Sequence, residues 1–183
     1  MSSSAHLKEP TRCAPVPARY GREVPEFRRA AVSEIDPLTL YGILWLRVSV
    51  FVVEQKAAYA EVDGRDIEPG TELLWCEEAG VVVATLRILR DDAAMRIGRV
   101  ATAESARGRG YAAELMRAAL ARCRERSPGL PIALDAQTQL EHWYGRFGFL
   151  RSGSPYEEDG IPHIPMTLAS VDNFGREDDD GAT

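Results

Sequence analysis

The chain has 183 residues, 45% of them hydrophobic, and a formal net charge of -6. That length gives one ordinary globular domain plus ends, with a core large enough to need neither disulfides nor metal. The acidic balance argues against a general nucleic-acid binder. Three widely spaced cysteines, Cys13, Cys76 and Cys123, form neither a disulfide framework nor a metal knuckle.

Residues 1–25 carry Ser3, Ser4, Pro10, Pro15, Pro17 and Pro25 with few apolar anchors, and read as a flexible N-terminal extension. They contain no apolar core of signal-peptide type, and no run in the chain approaches a membrane span, so a cytoplasmic protein with no membrane partner is expected. Phe27–Val32 reads as a weak edge strand. The period then changes. Asp36 can cap a helix and Pro37 suits its first position. Tyr41, Leu44, Trp45, Val48 and Phe51 recur at three and four, which predicts the apolar face of a helix from Pro37 to about Ser49, with Arg47 off that stripe. A long connection follows, with a possible short helix around Phe51–Tyr59 and turn signals at Asp63–Gly64 and Pro69–Gly70. A connection of that length in a compact domain usually has a job or is mobile.

Leu73–Cys76, Val81–Arg90 and Met95–Ala103 read as three strands of an antiparallel meander. Arg87 and Arg99 in these strands are expected on a solvated face. After a Gly-rich loop, Ala112, Leu115, Met116, Ala119, Leu120 and Cys123 give the wall of a helix facing the sheet, which Ser127, Pro128 and Gly129 end. Pro131–Ala136 is the next strand. Strand, helix, strand makes one crossover, so those two strands should be parallel. A short helix from about Thr138 to Phe147 precedes a strand at Phe149–Arg151 and a turn-rich loop. Ile164–Leu168 closes the fold, with Pro165 pushing it toward an edge that a second copy could pair with, so monomer and homodimer both stay open. Residues 170–183, with five acids and one base, read as a disordered tail, leaving 26–169 as the folded domain.

The stretch Arg99–Met116 organises the functional reading. Gly108 and Gly110 lie between and beside Arg107 and Arg109, just ahead of a helix. Glycines permit close approach to backbone, and a helix start offers unpaired N–H groups, so the stretch has the anatomy of a phosphate site. A dinucleotide fold would need a third glycine where Ala113 stands and an earlier strand; a P-loop would need Gly-Lys-Ser or Gly-Lys-Thr. Neither is present.

Arg107-Gly108-Arg109-Gly110-Tyr111-Ala112 resembles the acyl-CoA motif of the Gcn5-related N-acetyltransferases (GNAT), and Tyr144-Gly145-Arg146-Phe147-Gly148-Phe149 resembles their second signature. The order of elements from Phe27 to Leu168 fits as well. Leu46–Gln55, Glu61–Asp66, Ile97–Val100 and Tyr156–Met166 are similar to segments of the ElaA subfamily. The chain departs from that pattern at Lys56-Ala57-Ala58-Tyr59, where Cys-Pro-Tyr is usual near Ala57 to Tyr59, and at Leu73, where His is common. Either departure would alter the acceptor if it helps shape that pocket.

The resemblance implies an α/β fold whose sheet is mixed and mostly antiparallel, with one parallel crossover and central strands that splay apart. It implies an acetyl-CoA-dependent N-acetyltransferase acting on a small-molecule amine or a peptide N-terminus. The cofactor would lie on Val100, Ala101 and Thr102 along the pantetheine arm, and on Arg107, Gly108, Arg109, Gly110, Tyr111 and Ala112 at the pyrophosphate. Tyr144 would protonate the leaving thiolate; its phenol is a donor at neutral pH. Glu54 and His163 compete as the base. Asp63, Asp66, Glu157, Glu158 and Asp159 would form an acidic acceptor rim if their loops converge. No metal is implied: His6, His142 and His163 form no ligand cluster. An acyl-CoA-binding regulatory module without turnover is the alternative, since it needs only the Arg107–Ala112 loop.

Overall fold

The computed structural model describes residues 24–57 and 59–170. The N-terminal extension expected over 1–25, save its last two residues, the tail beyond 170, and Ala58 lie outside them. Among the described residues, eight strands form one mixed sheet. Strands β1 (Glu26–Ala30), β2 (Glu72–Glu78), β3 (Val81–Arg90) and β4 (Met95–Thr102) make an antiparallel meander. Helix α2 (Tyr111–Arg126) crosses to β5 (Ile132–Gln137), which pairs parallel to β4. A short helix, α3 (Glu141–Gly145), leads to β6 (Leu150–Arg151), β7 (Tyr156–Glu158) and β8 (Ile161–Leu168). The order across the sheet is β1-β2-β3-β4-β5-β8-β6, with β7 also paired to β8.

β8 is therefore not the edge strand that Pro165 suggested. It lies inside the sheet, with His163–Leu168 antiparallel to the whole of β5. Its outer side is covered in two pieces, β6 ending at Arg151 opposite Met166 and β7 starting at Tyr156 opposite His163. Pro165, which has no N–H to give, falls at the break between them, and its carbonyl accepts from the Ser152 amide at 2.9 Å.

Both faces of the sheet are packed, which is why Leu73, Leu74, Trp75 and Cys76 are buried without alternation. Leu74 and Cys76 face α2, whose Leu115, Met116, Ala119 and Cys123 are buried as the 3.6-residue period predicts. Leu73 and Trp75 face helix α1 (Pro37–Arg47) with Ile43 and Leu46, and Val50 of the turn that follows it joins the same cluster. Burying each such aliphatic side chain contributes about 2 kcal/mol.

Asp36 caps α1 as expected, its Oδ1 accepting from the amides of Leu38 at 3.1 Å and Thr39 at 3.0 Å. The buried face is not the predicted one. Tyr41 is 70% exposed and Trp45 49%, whereas Arg47 is 1% exposed. Apolar residues surround this helix, so periodicity alone did not fix its rotation; carboxylates waiting for Arg47 do. Beyond Arg47 the chain continues through Val48–Glu54 with wider π winding, the Gln55 amide donating to the Val50 carbonyl at 3.1 Å. Pro37–Glu54 thus makes 18 helical residues of mean hydropathy 1.4, long and apolar enough to cross a membrane by length and composition, contrary to the sequence expectation. In the fold this helix packs on β3 and β4.

Candidate active site

β4 and β5 are hydrogen-bonded only where they begin, with Met95 opposite Ile132 and Arg96 opposite Ala133; beyond that they part. On its other side β4 carries a bulge: Thr85 pairs with Ala101 and Arg87 with Gly98, so one extra residue is inserted near Arg99. Arg99 takes φ +54°, unusual for a side chain of its size. The bulge bends β4 away from β5 and turns Arg99 toward the 59–66 loop. A gap between two parallel strands, each with unpaired backbone groups, is the result.

One end of the gap faces the Gly-rich loop. Gly108 and Gly110 have φ +74° and +86°, and an added Cβ at either would meet no heavy atom within 4 Å. Backbone conformation, not crowding, therefore requires glycine here. Gly110 is the N-cap of α2, and no side chain caps that helix. Its first amides point into the loop with the positive end of the helix dipole behind them.

The loop arginines point elsewhere. Arg107 Nη2 donates to Glu54 at 2.6 Å and its Nε to the Thr102 carbonyl at 3.3 Å. Arg109 grips Glu78 with both Nη atoms and lies over the Tyr111 ring, 4.9 Å from its centroid. Tyr111 is buried, and its hydroxyl donates to Glu78 at 3.3 Å. Bonding to the arginines holds the Glu54 and Glu78 carboxylates below the usual range. At this loop the free anion-binding groups are thus main-chain N–H groups.

The other end opens into a cleft of about 540 Å³ on the α1 face of the sheet. Tyr144 and His163 line it, together with Val100; Glu54 and the 107–112 loop do not. Tyr144 is 6% exposed, packed against Trp143 and Phe149, and among the described residues nothing accepts from its hydroxyl. Burial pushes this phenol up, so it stays protonated. His163 Nδ1 lies 2.8 Å from the Ile161 carbonyl. A proton there makes Nε2 the acceptor nitrogen. The His163 ring stacks on Tyr156, 5.9 Å between centroids. His142 sits exposed on α3, outside the cleft.

The floor and roof of the cleft hold residues that sequence reasoning had placed differently or passed over. Arg87 is 4% exposed, not solvated; it donates to Asp63 at 2.7 and 2.8 Å and to Asp66 at 3.1 Å. Arg99 reaches Glu61 and Asp63, both at 3.0 Å. Arg47 joins the same set from α1, bonding the Glu61 carboxylate, the Glu61 carbonyl at 3.0 Å and Asp66 at 2.7 Å. Asp63 and Asp66 are therefore not a free acidic rim. They are anchors that tie the 59–66 loop to α1, β3 and β4, and Arg87 holds the Asp63 carboxyl well below its ordinary value. Tyr59, from the same loop, lies under Arg99 at 5.1 Å.

Asp91 of the β3–β4 turn, Arg96 of β4 and Asp135 of β5 form a second chain of pairs, at 3.1 and 2.6 Å. Asp135 had a legible signal: in Ile132–Gln137 the apolar residues alternate, which puts Asp135 and Gln137 on the opposite face. Of the departures from the ElaA pattern, Leu73 is fully buried in the α1-side core and Ala57 is buried, and neither lines the cleft; Tyr59, which the pattern keeps, does line it, and Ala58 lies outside the described residues.

A family model described as Acetyltransferase (GNAT) domain matches residues 38–170. A UPF0039 protein of Mycobacterium tuberculosis is 42% identical over 144 residues, covering 76% of this chain and 90% of that protein. Protein ElaA of Escherichia coli is 39% identical over 137 residues, covering 73% and 90%. Its crystal structure superposes with a TM-score of 0.75 over 79% of this chain and 99% of that one, at 37% identity. The crystal structure of an acyl-CoA N-acyltransferase from Pseudomonas aeruginosa gives 0.76 over 80% and 100%, at 38% identity. The parted strands, the uncapped helix behind Gly110 and these likenesses agree, and the chain belongs to the GNAT family of acyltransferases, on its ElaA-like branch.

Proposed function

We propose that this protein moves an acetyl group from acetyl-CoA to an amine. The observation that carries the reading is the parting of β4 and β5, with Tyr144 lining the cleft beside the gap and the uncapped start of α2 following β4. The pyrophosphate sits on backbone N–H groups of residues 108–112, where fixed dipoles and no side-chain bulk favour an anion. The pantetheine arm pairs with the exposed edge of β4 at Val100–Thr102.

His163 Nε2 takes the proton from the acceptor ammonium, and the free amine attacks the thioester carbon. The new C–N bond forms, the C–S bond breaks, Tyr144 gives its proton to the departing sulfur, and the phenolate left behind takes the second proton from the nitrogen, so the product is a neutral amide and Tyr144 is restored. Glu54 has a different part. Paired to Arg107 and lowered in basicity, it ties the end of the α1 extension to the donor loop. A cytoplasmic location agrees with the use of acyl-CoA and with buried, unpaired Cys76 and Cys123.

The test is release of free thiol from acetyl-CoA in the presence of a panel of amines, with the acetylated product identified by mass spectrometry. Thiol release coupled one-to-one with amide formation supports the reading. Saturable CoA binding without thiol release from any amine supports a binding module instead.

A further inference from the structure

The charges around the cleft are unevenly satisfied. Each arginine that lines it already holds two carboxylates: Arg65 holds Glu68 and Asp91, and Arg96 holds Asp91 and Asp135. Arg87 holds Asp63 and Asp66, and Arg99 holds Glu61 and Asp63. An anionic acceptor thus meets no uncommitted arginine on these walls. Two acids of the lining have no cationic partner among the described residues, Glu158 and Asp159. They stand at the tip of the β7–β8 hairpin, where Asp159 and Gly160 both take positive φ, as a tight two-residue connection requires. The pleat turns Glu158 and Tyr156 to the cleft together. Tyr156 in turn stacks with His163. In the same cleft, the nine-tenths-buried Tyr144 has a hydroxyl with no partner among the described residues.

Resting on the acetyl-transfer reading above, we propose that the acceptor is a small amine with a second cationic group: the reacting nitrogen lies at Tyr144 and His163, and the second cation is held by Glu158 and Asp159 beside the Tyr156 ring. Carboxylates and an aromatic face together suit an alkylammonium, which gains both charge pairing and ring contact. The paired arginines add selectivity by leaving an anionic tail unmatched against nearby carboxylates.

Three amines of equal backbone length test the assignment: 1,4-diaminobutane, butylamine and 4-aminobutyrate. Thiol release from acetyl-CoA should favour the diamine over butylamine by about tenfold in kcat/KM, with 4-aminobutyrate lowest. The preference should shrink as ionic strength rises. In the Glu158→Gln, Asp159→Asn double variant it should fall to about twofold. Equal use of the diamine and butylamine, or a preference that survives in the double variant, overturns the proposal. Calorimetric titration of 1,4-diaminobutane into the CoA-loaded protein separates this inference from the reading it rests on. Saturable binding to the wild type that is lost in the double variant supports the inference even if no amine releases thiol; absence of saturable binding overturns it.

Discussion

Glu54 and Arg107 stand 53 residues apart in sequence, yet Arg107 Nη2 lies 2.6 Å from the Glu54 carboxylate. One closes the π-wound extension of α1 and the other opens the donor loop. The contact links the α1 extension to the Gly-rich loop and occupies the Arg107 guanidinium. Glu54→Gln should weaken the pair and free the guanidinium, so CoA should bind up to about fivefold more tightly at low salt, consistent with the modest worth of an exposed ion pair. Thiol release should keep its rate within about threefold. A loss of a hundredfold or more in kcat at unchanged CoA affinity would instead make Glu54 the base.

In the proposed function, Gly110 carries the other half of donor binding. Its positive φ means that Gly110→Ala costs about 1 kcal/mol of backbone strain without filling the loop. Gly110→Glu adds a carboxylate at the proposed pyrophosphate site. Thermal melts should show the two variants folded and similarly destabilised, while only the Glu variant loses CoA affinity by tenfold or more. Equal CoA affinity in the two variants would move the pyrophosphate away from this loop.

The meander, the Asp36 cap, the crossover helix and the donor loop were legible because each is written locally, in alternation, capping residues or glycine spacing. The acceptor half was not. Arg47 sits in an apolar run and its carboxylates lie 14 and 19 residues downstream, so nothing in the run marks it as the residue that turns the helix. Asp63 and Asp66 read as loop acids because their cations, Arg87 and Arg99, come from strands whose approach depends on a bulge. Pro165 suggested an edge because the break between β6 and β7 that accommodates it is a feature of pairing and not of sequence.

Arg47 is the keystone of that acceptor half, and its removal leaves Glu61 and Asp66 buried with one cation fewer. Breaking a buried pair on one side costs about 3–5 kcal/mol. Arg47→Met should therefore lower the urea midpoint by a corresponding amount. Arg47→Lys, which keeps charge but loses the fork that serves Glu61 and Asp66 together, should recover only part of the loss. A destabilisation below 1 kcal/mol for Arg47→Met would mean that the loop is held by something else.

Asp63 gives the pH signature of the same network. Hydrogen bonds from Arg87 hold its folded-state pKa below the unfolded value, so it binds its proton less readily when folded. Its contribution to stability is then complete above the unfolded pKa of about 4 and is lost as pH falls below that value toward the folded one. Asp63→Asn should be less stable than the wild type by about 1–3 kcal/mol at pH 7, and the difference should close progressively below pH 4. Urea unfolding at pH 7, 5 and 3 measures it; a difference independent of pH would exclude Asp63 from the linkage.

Tyr144 joins the buried core to the chemistry. Its ring is fixed by Trp143 and Phe149 while its hydroxyl meets the cleft, so Tyr144→Phe removes one oxygen and leaves the packing in place. If the phenol protonates the leaving thiolate, kcat should fall about a hundredfold while CoA affinity and melting temperature barely change. Acceptors cannot rescue this loss, because the missing proton belongs to the donor product. A thioester with a more acidic thiol should, since its thiolate leaves without help. Burial holds the phenol protonated well above its ordinary range, so the wild type should show no alkaline decline from Tyr144 at assay pH. Full activity in Tyr144→Phe, or an equal loss with both thioesters, would leave Tyr144 as a packing residue and require another proton source for the sulfur.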